Sequence, residues 1–157
     1  MWIAKNNDLI ILAKDTREEL ENQLGFMVYT SIEETDIEYQ FYGGEYLTPI
    51  EVEQKEAERI AQLHLTRGDV FRGLLQAKGI TRSQLRSMIE TMPEETQEQQ
   101  LAKEMALIDF DEALDFYRGV PLIDTLGLQL GITSEQMTKF FETNDYHELI
   151  SEVENGD

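Results

Sequence analysis

The chain has no cysteine, and its 157 residues include only three prolines and one tryptophan. Without cysteine there is no disulfide, no thiolate nucleophile and no sulfur-based metal site. A chain that dispenses with disulfides suits a reducing compartment. Long apolar runs are missing too. The opening "MWIAKNNDLIILAKD" carries only Leu9–Leu12 ahead of Ala13, too short for a membrane span or a signal core. The expected location is the cytoplasm, with no membrane partner.

Catalytic signatures are equally scarce. The two histidines, His64 and His147, stand far apart, and no His-x-x-x-His or Glu-x-x-His spacing points to a metal. "YGGEY" reads as a turn and not as a phosphate loop. "DFDEALD", Asp109 to Asp115, lacks the central glycine and the terminal glutamate of a calcium loop. Its Ala113 and Leu114 read as helix interior. Carboxylates are so common that no pair stands out as acid and base. The expectation is a protein that is not an enzyme, with no cofactor and no metal.

Positive charge is also in short supply. Thirteen lysines and arginines face 32 aspartates and glutamates, for a net charge of −19. Such a surface repels nucleic acid and anionic membranes and attracts basic partners; solubility alone is the plainer use of it. The imbalance is uneven. Residues 66–92 hold Arg67, Arg72, Lys78, Arg82 and Arg86 against only Asp69 and Glu90, a basic island between two acidic flanks.

What the chain does have is a hydrophobic fraction of 41%, enough for a core, and two kinds of periodicity. Over residues 1–47, "DLIIL", "FMVYTSI" and "DIEYQFY" read as strands, the last because Ile37, Tyr39 and Phe41 alternate with polar neighbours. "DTREELENQLG" reads as a short helix stopped by Gly25. This is a small antiparallel sheet with one helix packed on it. At Thr48 the pattern changes: Thr48, Pro49 and Glu51 make a helix start. The spacing predicts that residues 49–152 are nearly all helix, with Ile50, Ala57, Ile60, Ala61 and His64 on an apolar side. Pro93 is expected to open a helix, "DEALDFY" to add helical turns, and residues 153–157 to fray. The fold class is therefore α+β, with subdomains 1–47 and 48–152.

One phrase occurs twice: "GITRSQLRSMIET" from Gly79 and "GITSEQMTKFFET" from Gly131. Each position has a local reason. The glycine ends a helix in the left-handed conformation, isoleucine plugs the corner, and threonine with the glutamine three residues on forms a capping box. Leu85, Met88 and Ile89, and then Met137, Phe140 and Phe141, should face inward. Segments 66–92 and 118–144 thus read as a duplicated helix–turn–helix pair, and Ile80 and Ile132 are expected at equivalent buried corners. The simplest reading is two tight helical hairpins. The first copy also has the shape of a DNA-binding helix-turn-helix. Its candidate nucleic-acid residues are Arg67, Arg72, Lys78, Arg82, Gln84 and Arg86. In the second copy Ser134, Glu135, Gln136 and Thr138 occupy the matching places, and Glu135 would face phosphate.

The stretch "LTPIEVEQKEAERIAQLHLTRGDVFRGLLQAKGIT", behind a short β-containing head, resembles phage and prophage accessory proteins. That resemblance implies a small phage-encoded protein, with roles from tail assembly to antagonism of host defence. Three functions remain in view. The first is a non-enzymatic acidic protein that engages a basic partner, such as a nucleic-acid-binding host defence protein. Its acidic face would be Glu94, Glu95, Glu98, Asp109, Asp111, Glu112 and Asp115. The second is a DNA-binding regulator using the basic island, and the third a structural or tail-assembly protein. Direct DNA binding by so acidic a chain is disfavoured; a homo-oligomer is compatible with the pattern.

Overall fold

In a computed structural model, which describes residues 1–151, antiparallel strands with one helix precede a mainly helical region. The fraying expected at 153–157 lies outside the described residues. The chain forms two compact units, Met1–Glu58 and Arg59–Asp157.

In the first unit, β1 (Trp2–Asn6) lies between β2 (Leu9–Lys14) and β3 (Ser31–Glu34). The helix α1 (Arg17–Leu24) starts where the Thr16 hydroxyl accepts the Glu19 N–H at 3.2 Å, and stops at Gly25 with φ +49°. Leu20 and Leu24 bury against Ala4 and Leu12. β4 (Gln40–Tyr42) and β5 (Glu45–Leu47) make a hairpin whose turn needs positive φ at both Gly43 and Gly44. Two strands are shorter than the sequence suggests. β3 pairs with β1 only from Trp2↔Glu34 to Lys5↔Ser31, so Phe26–Tyr29 have no partner strand and stay exposed. β5 has three residues and cannot hold more of "DIEYQFY" than Gln40–Tyr42, which leaves Ile37 exposed.

The α2 helix (Pro49–Gln62) has the expected start: the Glu51 N–H donates to the Thr48 hydroxyl, and the Thr48 N–H donates back to the Glu51 carboxylate. No α2 residue is buried, so its apolar spacing marks no core face. There follow β6 (His64–Thr66), α3 (Arg67–Lys78), α4 (Arg82–Glu90), α5 (Gln97–Glu112), β7 (Asp115–Tyr117), α6 (Pro121–Leu130) and α7 (Ser134–Thr143).

β6 and β7 correct the expectation that all strands lie before Thr48. They pair antiparallel, with Leu65 opposite Phe116 at the centre. The Arg67 N–H donates to the Leu114 carbonyl on one side and the Arg118 N–H to the Leu63 carbonyl on the other. Three-residue strands are too short to show a period of two, and they pair only because the fold brings them together. His64 therefore sits on a strand, exposed, with its ring against Tyr117, and not on an inner helix face. Ala113 is already extended (ψ 131°), so "DEALDFY" leaves the helix at Glu112. The preceding helix opens at Gln97, not at Pro93, because Thr96 and Gln99 make the capping box there.

With these strands in place, the repeat of the sequence extends upstream. Leu63-His-Leu-Thr-Arg-Gly68 and Leu114-Asp-Phe-Tyr-Arg-Gly119 are counterparts, so each copy is a strand–helix–helix unit. The two corners match: Gly79 and Gly131 take φ +66° and +68°, and both Thr81–Gln84 and Thr133–Gln136 form full capping boxes. Leu85, Ile89, Met137, Phe140 and Phe141 join one core with Phe110, Phe116, Leu122 and Leu126, while Met88 is half-buried at its edge. The corners differ in depth. Ile132 is 5% exposed, whereas Ile80 is only half-buried. Ile132→Ala should cost roughly 2–4 kcal/mol and Ile80→Ala clearly less. Urea melts of the two variants check this; equal losses would mean the corners are packed alike.

Candidate functional site

The residues expected to meet a partner gather around α5 and the α3–α4 corner. The seven carboxylates do not form one patch. Glu94, Glu95 and Glu98 stand at the start of α5, and Asp109, Asp111, Glu112 and Asp115 at or just past its end. At 1.5 Å per residue, Glu98 and Asp109 are about 16 Å apart along the axis.

The two groups differ electrostatically. Acids in a first turn favour the helix, but acids in a last turn oppose the negative C-terminal end of its dipole, at about 0.3–1 kcal/mol each. The last turn of α5 has no basic residue to offset them. Asp111 is compensated: its carboxylate accepts from Arg86 at 3.0 Å, and that bond holds its pKa below the usual carboxylate range. Glu94 takes Lys103 at 3.0 Å. Among the described residues, no ion pair engages Glu95, Glu98, Asp109, Glu112 or Asp115.

Between the two ends runs an apolar ridge that the sequence reading missed. At 100° per residue, Leu101, Met105, Ile108 and Glu112 fall within about 60° of one another on the outer face of α5. The apolar three are 62%, 56% and 58% exposed. Glu98 and Asp109 lie about 60–80° to one side of this ridge, and Glu104 and Asp111 about as far to the other. The inner face holds Ala106 and Phe110. A helix apolar on both sides shows little net periodicity, which is why α5 gave no signal as a surface. Beside the ridge, a groove of about 180 Å³ opens between Met92, Ala102, Met105 and Asp109 on one wall and Pro121, Leu122 and Thr125 on the other.

The basic island is largely engaged within the chain. Arg72 pairs with Asp69 at 2.6 Å, and Arg86 with Asp111 and with Glu90. Arg67 donates to the Asp111 carbonyl at 2.6 Å and lies over Phe71. The Arg82 guanidinium is 5.5 Å from the Phe71 ring centre. Gln84 accepts the Thr81 N–H at 2.8 Å, so its side-chain oxygen is committed to capping its helix. Lys78 alone points out without a described partner.

The Arg86–Asp111 bond has a pH consequence. A carboxyl group whose folded pKa is depressed stabilises the fold at neutral pH and loses that contribution as pH falls through and below the ordinary carboxylate range. Asp111→Asn should flatten the acid limb of a melting-temperature profile without moving the neutral end far, since the pair is partly exposed. An unchanged acid limb would show that the bond adds nothing.

Arg118 was not singled out by sequence, although it repeats Arg67. It is 4% exposed. Its guanidinium donates to Thr138 Oγ1, Asp124 Oδ1, and both the carbonyl and hydroxyl of Ser134. A larger groove of about 440 Å³ lies along α6 and α7, lined by Ile123, Gly127, Leu128 and Met137, with Asp124 and Ser134 at its rim. Those rim groups are already held by Arg118. Among the described residues no cluster of histidine, aspartate and glutamate could hold a metal, and no helix is long and apolar enough to cross a membrane. Searches against protein-family models, curated proteins and solved structures find no match to this chain.

Proposed function

We propose that this chain is a non-enzymatic, acidic protein-binding protein that engages a basic partner. The observation that carries the reading is the contrast in how the charges are used. The arginines of the island are engaged with their own chain, while Glu95, Glu98 and Glu112 face outward unpaired and Asp109 stands half-buried without an ion pair, the last two where they oppose the helix dipole. Uncompensated charge of that kind contributes to encounter with an oppositely charged protein more than to stability. The resemblance of Leu47–Gln84 to phage accessory proteins suggests the kind of partner: a nucleic-acid-binding defence protein of the host, in whose cytoplasm the chain would act.

Two measurements test this. Duplex DNA should show no measurable binding in a polarisation titration at about 150 mM salt, where distant acids are screened and only local cations act. Tight duplex binding that is lost in Arg82→Glu/Arg86→Glu would favour the regulator instead. A basic, nucleic-acid-binding protein should associate more slowly as salt rises, and more slowly still with Glu94→Lys/Glu95→Lys/Glu98→Lys, provided circular dichroism shows that variant folded as wild type. Salt-independent association would remove the electrostatic basis of the proposal.

A further inference from the structure

The geometry of α5 points to a partner of particular form, and we infer that this face receives an amphipathic helix with an apolar stripe and lysine or arginine along both borders. The inference rests on the reading of a basic partner and adds to it a shape. Carboxylates alone would attract any cation. The α5 surface offers more: Leu101, Met105 and Ile108 recur at i, i+4 and i+7 along about 10 Å of helix, exposed to solvent. Helix-in-groove recognition uses that anchor spacing. Glu98 and Asp109 border the ridge on one side and Glu104 on the other, with Glu112 closing its end. The groove between Met105 and Leu122 has room for one apolar side chain from the incoming helix.

Charge selects among occupants. A second copy of this chain laid ridge to ridge would set these carboxylates against their own kind, and each chain carries a net −19. A neutral apolar helix would bury the ridge and strip water from the bordering acids without pairing them. A helix with basic flanks satisfies both parts at once. Methionine at the centre suits such a surface, because its unbranched side chain adapts to differing anchors.

The test uses the full chain and three synthetic peptides of about 18 residues, long enough to cover α5. The first places leucine at i, i+3, i+4 and i+7 with lysine elsewhere. The second has the same composition with the leucines dispersed around the helix. The third keeps the leucine stripe and replaces lysine with glutamate. Only the first should bind tightly by fluorescence polarisation. Met105→Glu/Ile108→Glu should weaken it by about tenfold or more, as expected when apolar anchors dominate. Leu128→Glu, a change at another exposed leucine, should leave it unaltered. All three positions are exposed, and circular dichroism melts of each variant are to be compared with wild type before binding is read. Equal binding of the first two peptides would overturn this inference while the basic-partner reading stands. Binding of neither would overturn both. Concentration-dependent dimerisation in sedimentation, abolished by Met105→Glu/Ile108→Glu, would assign the ridge to a second copy and overturn the inference as well.

Discussion

Phe140→Ala will lower the free energy of unfolding by roughly 3–5 kcal/mol, the range for removing a large buried aromatic side chain. Phe140 lies on the inward face of α7, 1% exposed, with Phe141 edge-on to it at 5.9 Å. Its ring also fills the space left by a missing side chain on α3. A Cβ on Gly73 would stand 2.4 Å from Phe140 Cζ and 2.7 Å from the adjacent ring carbon. Gly73 is thus the close-approach point between the first helix of one copy and the second helix of the other. Alanine at 73 would gain up to about 1 kcal/mol of helix propensity. The clash with a buried ring that has nowhere to go costs about 1–3 kcal/mol, so Gly73→Ala is expected to destabilise on balance. The two changes share one volume and will not add. In the Phe140→Ala background the ring is gone, and Gly73→Ala should become neutral or stabilising. Urea denaturation of the two single variants and the double variant measures this. Strict additivity would show that the helices do not touch there.

Arg118→Ala should be the other large loss, roughly 2–3 kcal/mol, and most of it will come from hydrogen bonds and not from charge pairing. Asp124 is more than half exposed, so its ion pair with Arg118 contributes little by itself. The Ser134 carbonyl and hydroxyl and the Thr138 hydroxyl share the remaining bonds of this buried guanidinium and would lose that donor. Lysine cannot replace the fork of donors, so Arg118→Lys should recover only part of the stability. Its counterpart Arg67 keeps one bond to the Asp111 carbonyl, while its other terminal nitrogen is buried without a partner among the described residues. Arg67→Ala should therefore cost less than Arg118→Ala. A melting temperature for Arg118→Ala equal to wild type would refute the buried network.

Several features of this chain were decided locally, and these could be read without a structure. The α+β class came from the change of period at Thr48. Helix ends at Thr48, Gly79, Thr81, Gly131 and Thr133 depend on capping bonds within four residues, and each stands where the sequence placed it, as does the stop at Gly25. The duplicated corner is of the same kind. Other features needed the tertiary fold. β6 and β7 exist only because Leu63–Arg67 meets Leu114–Arg118, a pairing between distant segments that no local pattern can signal. Phe26–Tyr29 have strand-forming side chains but no strand beside them. The intrachain partners of the basic island, Asp69, Glu90, Asp111 and two phenylalanine rings, were likewise invisible in the sequence. The ridge of α5 is the clearest case. Its apolar residues fall on two opposite faces, and sequence periodicity cannot tell a helix buried on both from one buried on a single face with the other facing water. Only the packing of Ala106 and Phe110 into the core turned Leu101, Met105 and Ile108 outward.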